Sequence, residues 1–189
     1  MKIVSLLGSP RPNSNSSAIA NRFLKTAQEL GAETTCFTLN RLNYRGCQGC
    51  YVCKTTLDHC VLRDDLAQVL DAVAEADLVV LASPVYYGEV TSQLKGFLDR
   101  TFSYLVPDYR TSATPTRLSP KKLVFVQTQG HPDEEMFADI FQRYEHFLKW
   151  TGFTEATLIR ACGIGPGSVD APPEEALREA EAVARRLVS

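Results

Sequence analysis

Several features that the chain lacks narrow its class before any motif is considered. It has no excess of positive charge: 20 Lys and Arg stand against 22 Asp and Glu, a formal net charge of −2. Nucleic acids and anionic membranes demand a basic surface, so neither is expected as a partner. No apolar run approaches the ~20 residues that span a bilayer. The stretch Met1-Lys2-Ile3-Val4-Ser5-Leu6-Leu7-Gly8 is too short for an export signal and has no small-residue cleavage site. The expected compartment is therefore a reducing cytosol. Both glycine signatures of nucleotide folds are missing, since neither GxxxxGK(S/T) nor GxGxxG occurs. Histidine is scarce, at 3 residues. His131 and His146 have no partner legible in the sequence, and no residue is assigned as a catalytic acid or base.

What is present is an ordinary globular composition. With 189 residues, 44% hydrophobic and 22% charged, the chain suits one domain over 1–189 with a sizeable core. Strand and helix patterns alternate from end to end. Short apolar runs at 2–7, 78–82, 122–128 and 156–161 read as strands, and the Thr- and aromatic-rich 34–39 reads as a half-exposed edge strand. Apolar residues recur at helical spacing over 19–30, 66–73 (behind the capping candidate Asp64), 90–105, 136–148 and 176–187. Residues 107–120, rich in Pro, Thr and Ser, read as a surface loop, and 41–62 has no period. Such alternation implies parallel βαβ units with right-handed crossovers. The predicted fold is α/β, a flavodoxin-like three-layer sandwich around a five-stranded parallel sheet of order 2-1-3-4-5.

Open sheets of this kind bind ligands at the carboxyl ends of their strands, near the switch point. The first such end reads Gly8-Ser9-Pro10-Arg11-Pro12-Asn13-Ser14-Asn15-Ser16-Ser17. It offers hydroxyls, amides, one guanidinium and the free N–H groups of a helix start, and together these can hold a phosphate. The later Gly163-Ile164-Gly165-Pro166-Gly167 has the wrong spacing and reads as a turn. After the third strand comes Ser83-Pro84-Val85-Tyr86-Tyr87-Gly88, a thin apolar wall against which a planar ring can stack. One strand away from a phosphate loop, it suggests a ligand with a phosphate at one end and a flat ring at the other.

Gly8-Ser9-Pro10-Arg11, the Asn15-Ser16 pair, Ser83 to Gly88 and Lys95-Gly96-Phe97-Leu98-Asp99-Arg100 resemble the NADPH-dependent FMN reductase-like flavodoxin superfamily, over almost the whole chain. The resemblance implies that Ser9, Arg11, Asn15, Ser16 and Ser17 surround an FMN phosphate. It places Pro84, Val85, Tyr86, Tyr87 and Gly88 along the isoalloxazine, with Gln129 and Gly130 as further candidates. Lys95, Asp99 and Arg100 match a signature whose simplest role is a helix face and subunit contact.

Cys47, Cys50, Cys53 and Cys60 stand in one short loop, with two residues between the first three and six before the fourth. Soft thiolates suit iron–sulfur clusters or zinc. The tight first spacing puts three sulfurs around one small loop, whereas zinc sites more often use two pairs set further apart. Free or disulfide-linked thiols are the structural alternative. The pattern resembles the iron–sulfur flavoprotein branch of the superfamily, which implies a 4Fe–4S cluster close to FMN. His59 is a substitute ligand that a fourth cysteine makes unnecessary, and Cys36 and Cys162 read as buried small hydrophobes.

The expected activity is FMN-dependent electron transfer. An NAD(P)H or ferredoxin redox partner, a small-molecule or protein acceptor, and a homodimer or homotetramer complete the expectation. The alternatives are a cluster-free NAD(P)H-dependent FMN or quinone reductase, a non-enzymatic FMN electron carrier and a zinc-stapled interaction module.

Overall fold

The computed structural model describes residues 1–165 and 172–188. In chain order the elements are β1 (Lys2–Leu7), α1 (Asn15–Glu29), β2 (Glu33–Thr38), α2 (Val52–Thr55), α3 (Leu66–Glu75) and β3 (Leu78–Pro84). They continue as α4 (Ser92–Arg100), β4 (Lys121–Thr128), α5 (Asp139–Trp150), β5 (Phe153–Ala161) and α6 (Glu174–Val188). All strand pairs are parallel and the sheet order is β2-β1-β3-β4-β5, as the sequence pattern predicts.

Alternation along each strand divides the core in two. Ile3, Val80, Val124 and Ile159 face one layer, where Phe23 of α1 and Val183 of α6 pack on them. Val4, Leu6, Leu81 and Phe125 face the other, against Val69 of α3, Phe97 of α4 and Leu148 of α5. Each such side chain, fully buried, contributes about 1.5–3 kcal/mol. The three-layer sandwich therefore follows from a period of two on the strands meeting a period near 3.6 on the helices.

Several local expectations change. β2 is the edge strand and none of its residues is buried, so Cys36 is exposed rather than a core hydrophobe. Cys162, just past β5, is half-buried. The helix expected over 90–105 is α-helical only over Ser92–Arg100 and then tightens into a 3-10 turn, Thr101–Tyr104. There the Thr101 hydroxyl donates to Leu98 O (2.7 Å) and the Ser103 hydroxyl to Arg100 O (2.9 Å), competing with the α ladder. α5 starts three residues later than expected, because Phe137 has φ 65° and breaks the helical path. Phe147, expected on its apolar face, is 64% exposed.

The segment 107–120 folds back on the chain. Val106 N–H donates to Pro115 O (2.9 Å) and Arg117 N–H to Tyr104 O (2.8 Å). The return brings the Arg117 side chain against the cysteine loop. Within that loop the chain forms one short helix, α2, entered through Tyr51 at φ 59°.

Candidate functional site

The order β2-β1-β3 makes the gap between β1 and β3 the switch point, where the loops after both strands diverge. The β1 loop gathers serine hydroxyls around the start of α1. Ser14 caps α1: its Oγ accepts from Ser17 N–H (3.2 Å), donates to Ser17 Oγ (2.7 Å) and lies 3.3 Å from Ser16 Oγ. Ser9 and Ser16 are almost fully buried, at 2% and 0% exposure, although each carries a hydroxyl. No acidic side chain stands in the first turn of α1, so the positive end of the helix dipole is not neutralised locally. Arg11 is exposed, its backbone N–H donating to Ser9 Oγ (3.2 Å), and Asn15 is partly exposed.

Two further residues, missed as site residues in the sequence, hold the cradle in place. Gly8 has no room for a Cβ, which would lie 2.9 Å from both Leu94 Cβ and Thr91 Oγ1. Thr91 caps α4, accepting from Leu94 N–H (3.3 Å), while its hydroxyl donates to Gly8 O (2.7 Å) and its N–H to Ser83 Oγ (3.0 Å). One threonine thus straps the β1 loop to the β3 loop. A Thr at the start of the 90–105 pattern, able to cap a helix with its hydroxyl, is the signal that could have found it.

After β3, Tyr86 and Glu89 exchange backbone hydrogen bonds (2.8 and 3.1 Å) across a two-residue hairpin. Its central residues, Tyr87 (φ 54°) and Gly88 (φ 77°), are both left-handed, as a tight hairpin twist demands. Glycine adopts this freely; a tyrosine there costs about 1–2 kcal/mol. The Tyr87 side chain is completely exposed and Tyr86 is 40% exposed. Pro84 and Val85 are half-buried behind them. At the end of β4, Gln129 is buried, but its amide N–H groups go to His131 O and Asp133 O (both 3.0 Å) and its oxygen to Arg160 (2.8 Å). Its side chain therefore clamps its own loop. Gly130 is exposed beside Gly165.

The cysteine loop is held from below by α4. Arg100 is buried and its Nη1 lies 2.7 Å from both carboxylate oxygens of Asp64. The same guanidinium reaches Arg45 O and Leu62 O (3.2 Å each), so it grips the loop just before Cys47 and just after Cys60. The expected helix-face role for Arg100 is corrected accordingly, while Lys95 and Asp99 do pair on the exposed face. Burial alone would raise the Asp64 pKa, but Arg100 and the N–H groups of Arg45 and Leu66 hold it below the usual carboxylate value. Asp64 is the expected cap of α3, but the cap position is Asp65, which makes no side-chain capping bond, and Asp64 one residue earlier accepts from Leu66 N–H (3.2 Å). Gly96 has its reason here too: a Cβ would meet Tyr44 Cε2 at 3.1 Å, and Tyr44 OH donates to Gln93 O (2.6 Å). Burial pushes the Tyr44 phenol up to about 12.

Cys47, Cys50, Cys53 and Cys60 all line one cavity of about 900 Å³. All four are free thiols, Cys47 and Cys50 exposed, Cys53 and Cys60 half-buried. Among the described residues no three His, Cys, Asp or Glu side chains converge on a single metal position. His59 is exposed and its Nδ1 lies 2.7 Å from Asp58. The donor set, four free thiols lining one cavity, fits a thiophilic centre by its chemistry. The β1 loop fits a phosphate by its buried hydroxyls and unneutralised helix start. The glycine stretch 163–167 begins as a turn, with Gly163 at φ 72°; residues 166 and 167 lie outside the described residues.

Comparison with known proteins agrees with this geometry. An iron–sulfur flavoprotein of Archaeoglobus fulgidus is 40% identical over 104 residues, 55% of this chain and 47% of that protein. An FMN-dependent NADH:quinone oxidoreductase of Idiomarina loihiensis is 31% identical over 125 residues, 64% of each chain. The chain thus spans about half the length of the iron–sulfur flavoproteins it matches. The structure of an NAD(P)H:quinone oxidoreductase from Methanothermobacter marburgensis superposes with a TM-score of 0.78 at 22% identity, covering 100% of this chain and 96% of that one. The family model for NADPH-dependent FMN reductase matches residues 1–139. The strapped β1 loop and the aromatic hairpin lie inside that match, and the chain belongs to the NADPH-dependent FMN reductase family.

Proposed function

We propose that this chain is an FMN-dependent oxidoreductase in which Cys47, Cys50, Cys53 and Cys60 hold a 4Fe–4S cluster. The observation that carries the reading is the double attachment of α4. Its first residues strap the phosphate loop through Thr91, and its last residue grips the cysteine loop through Arg100. A helix of nine residues, ~13 Å long, therefore ties the two loops together, and would hold a centre in one at a set distance from a flavin in the other.

The residues divide the work simply. Ser9, Ser16, Ser17, Asn15, Arg11 and the N–H groups of α1 would hold the phosphate. Pro84, Val85, Tyr86, Tyr87 and Gly88 would line the ring, with Gly130 at its edge. FMN, when bound, accepts an electron pair and can release electrons singly. A thiolate-held cluster accepts one electron at a time, so the pair would join a two-electron donor such as NAD(P)H, or a one-electron donor such as ferredoxin, to a small-molecule or protein acceptor. The whole of 1–189 would act as one FMN-binding unit, in a homodimer or homotetramer. A reducing cytoplasm would keep all six thiols free, as they are here. No described helix is long and apolar enough to cross a membrane.

The second reading is a cluster-free NAD(P)H-dependent FMN or quinone reductase, favoured by the exposure of Cys47 and Cys50. Anaerobic reconstitution with iron and sulfide separates the two. The proposal expects about four irons per chain beside one FMN, with Cys50→Ser losing iron and keeping FMN. Full FMN without iron in the wild type overturns the cluster and leaves the reductase. Steady-state NAD(P)H oxidation with quinone or ferric acceptors then distinguishes an enzyme from a non-enzymatic carrier.

A further inference from the structure

One cation of the cysteine loop is held unusually firmly. Lys54 follows Cys53 within α2, on the loop side of the molecule. Its ammonium donates to Phe102 O (2.6 Å) and Leu105 O (2.7 Å) and sits 4.3 Å from the centre of the Phe102 ring. Its remaining direction is toward sulfur: Nζ lies 3.6 Å from Cys53 Sγ. A lysine on a free surface would lose side-chain entropy for such an arrangement, and here three fixed acceptors and a ring hold it.

Arg117 completes the arrangement from the returning 107–120 segment. Its guanidinium donates to Ser103 O (2.8 Å), to Leu105 O and to Cys53 O (3.3 Å). Lys54 and Arg117 thus share the Leu105 carbonyl, and both touch Cys53, one at its sulfur and one at its backbone. No ion pair joins either cation to a carboxylate among the described residues. Two positive charges therefore face one cysteine of the candidate cluster loop.

We infer that Lys54 is a positioning residue that sets the reduction potential of a centre bound at Cys53, with Arg117 fixing the loop so that the ammonium stays against the sulfur. Net charge and hydrogen bonds to sulfur are levers on cluster potential. A neighbouring cation and an N–H···S bond both favour the reduced, more negative cluster, so each raises the potential. The inference rests on the 4Fe–4S reading above.

The test compares wild type with Lys54→Met, Lys54→Gln and Lys54→Arg after anaerobic reconstitution. Iron and sulfide are measured first, then the cluster midpoint by a redox titration followed by electron paramagnetic resonance. With iron retained, Lys54→Met should titrate at a more negative potential, so that the reduced-to-oxidised ratio at the wild-type midpoint falls several-fold. Lys54→Arg should return most of the shift, and Lys54→Gln, a donor without charge, should fall between. If Lys54→Met loses its iron, Lys54→Gln decides by the same titration. Loss of iron from both neutral variants with retention by Lys54→Arg supports a requirement for the cation. Wild-type potential in an iron-replete neutral variant overturns the inference while the cluster reading stands, and so does loss of iron from all three variants. A wild type that takes up no iron overturns both, by the analysis and not by the titration.

Discussion

The Arg100 guanidinium lies 2.7 Å from both oxygens of Asp64, and it is buried while the carboxylate keeps 17% of its side-chain surface. This pair closes the base of the cysteine loop. It joins the last residue of α4 to the turn that starts α3, across 36 residues of sequence.

Removing either partner leaves the other charge or its hydrogen bonds unmatched. Asp64→Asn is expected to lower unfolding free energy by about 3–5 kcal/mol, the usual cost of breaking a buried pair from one side. Urea denaturation checks it. The pH dependence follows from the depressed Asp64 pKa: the stabilisation is present above the ordinary value of 3.8 and is lost as pH falls through it toward the folded-state value. Asp64→Asn should flatten the acid limb of stability against pH, and an unchanged limb would count against the pair.

Gly8→Ala tests the strap between the two loops. The added methyl meets Leu94 Cβ and Thr91 Oγ1 at 2.9 Å and Ala82 O at 3.0 Å, and the last of these is backbone that cannot rotate away. Overpacking of this kind costs about 1–3 kcal/mol. FMN affinity should fall together with stability, because the displaced atoms belong to both loops. Thermal unfolding and calorimetric FMN titration measure the two effects.

Arg11→Ala addresses charge alone, since the Arg11 side chain is exposed and its loss leaves no cavity. Charge-assisted hydrogen bonds are worth about 1.5–3 kcal/mol. FMN binding should weaken roughly tenfold to a hundredfold, and riboflavin, which lacks the phosphate, should bind almost as before. Equal losses for both flavins would remove Arg11 from the phosphate site.

Tyr87→Gly should stabilise the protein. The side chain is completely exposed and its backbone is left-handed, so glycine relieves strain without removing a packed contact. A gain of about 1 kcal/mol would raise the melting temperature by roughly 2–4 °C in a chain of this size. If the ring lies along a flavin, the same variant should also bind FMN more weakly, and ligand-free and FMN-loaded melting curves separate the two consequences. A melting temperature that falls without ligand would show that the ring packs on something in solution.

Much of the architecture can be read without coordinates, and the reason is local. Strand and helix periods are properties of neighbouring residues, and their alternation admits few parallel topologies, which is why the order 2-1-3-4-5 was legible. The candidate phosphate loop could be picked out in the same way: Ser9, Ser16 and Ser17 are close in sequence, and the end of a first strand is where such a fold binds ligands. The cysteine spacing singles out 47–60 as the candidate soft-metal loop, and the fold lines one cavity with its four thiols.

What the sequence could not determine depended on residues far apart in the chain. Thr91 goes unremarked in the sequence, and only the fold brings its hydroxyl to Gly8 O, 83 residues away. Arg100 is expected on a helix face at a subunit contact, and only tertiary packing buries it on Asp64. Nothing in the sequence marks Lys54, and only the fold brings Phe102 O, Leu105 O and the Phe102 ring to its ammonium. Phe147 obeys the helical period yet stays exposed, beside the cavity that the cysteines line rather than in the core. Local pattern determines which element forms and which face is apolar; long-range contact decides which polar groups meet, since a hydrogen bond needs two partners within about 3 Å and sequence spacing says nothing about that distance once the chain has folded back.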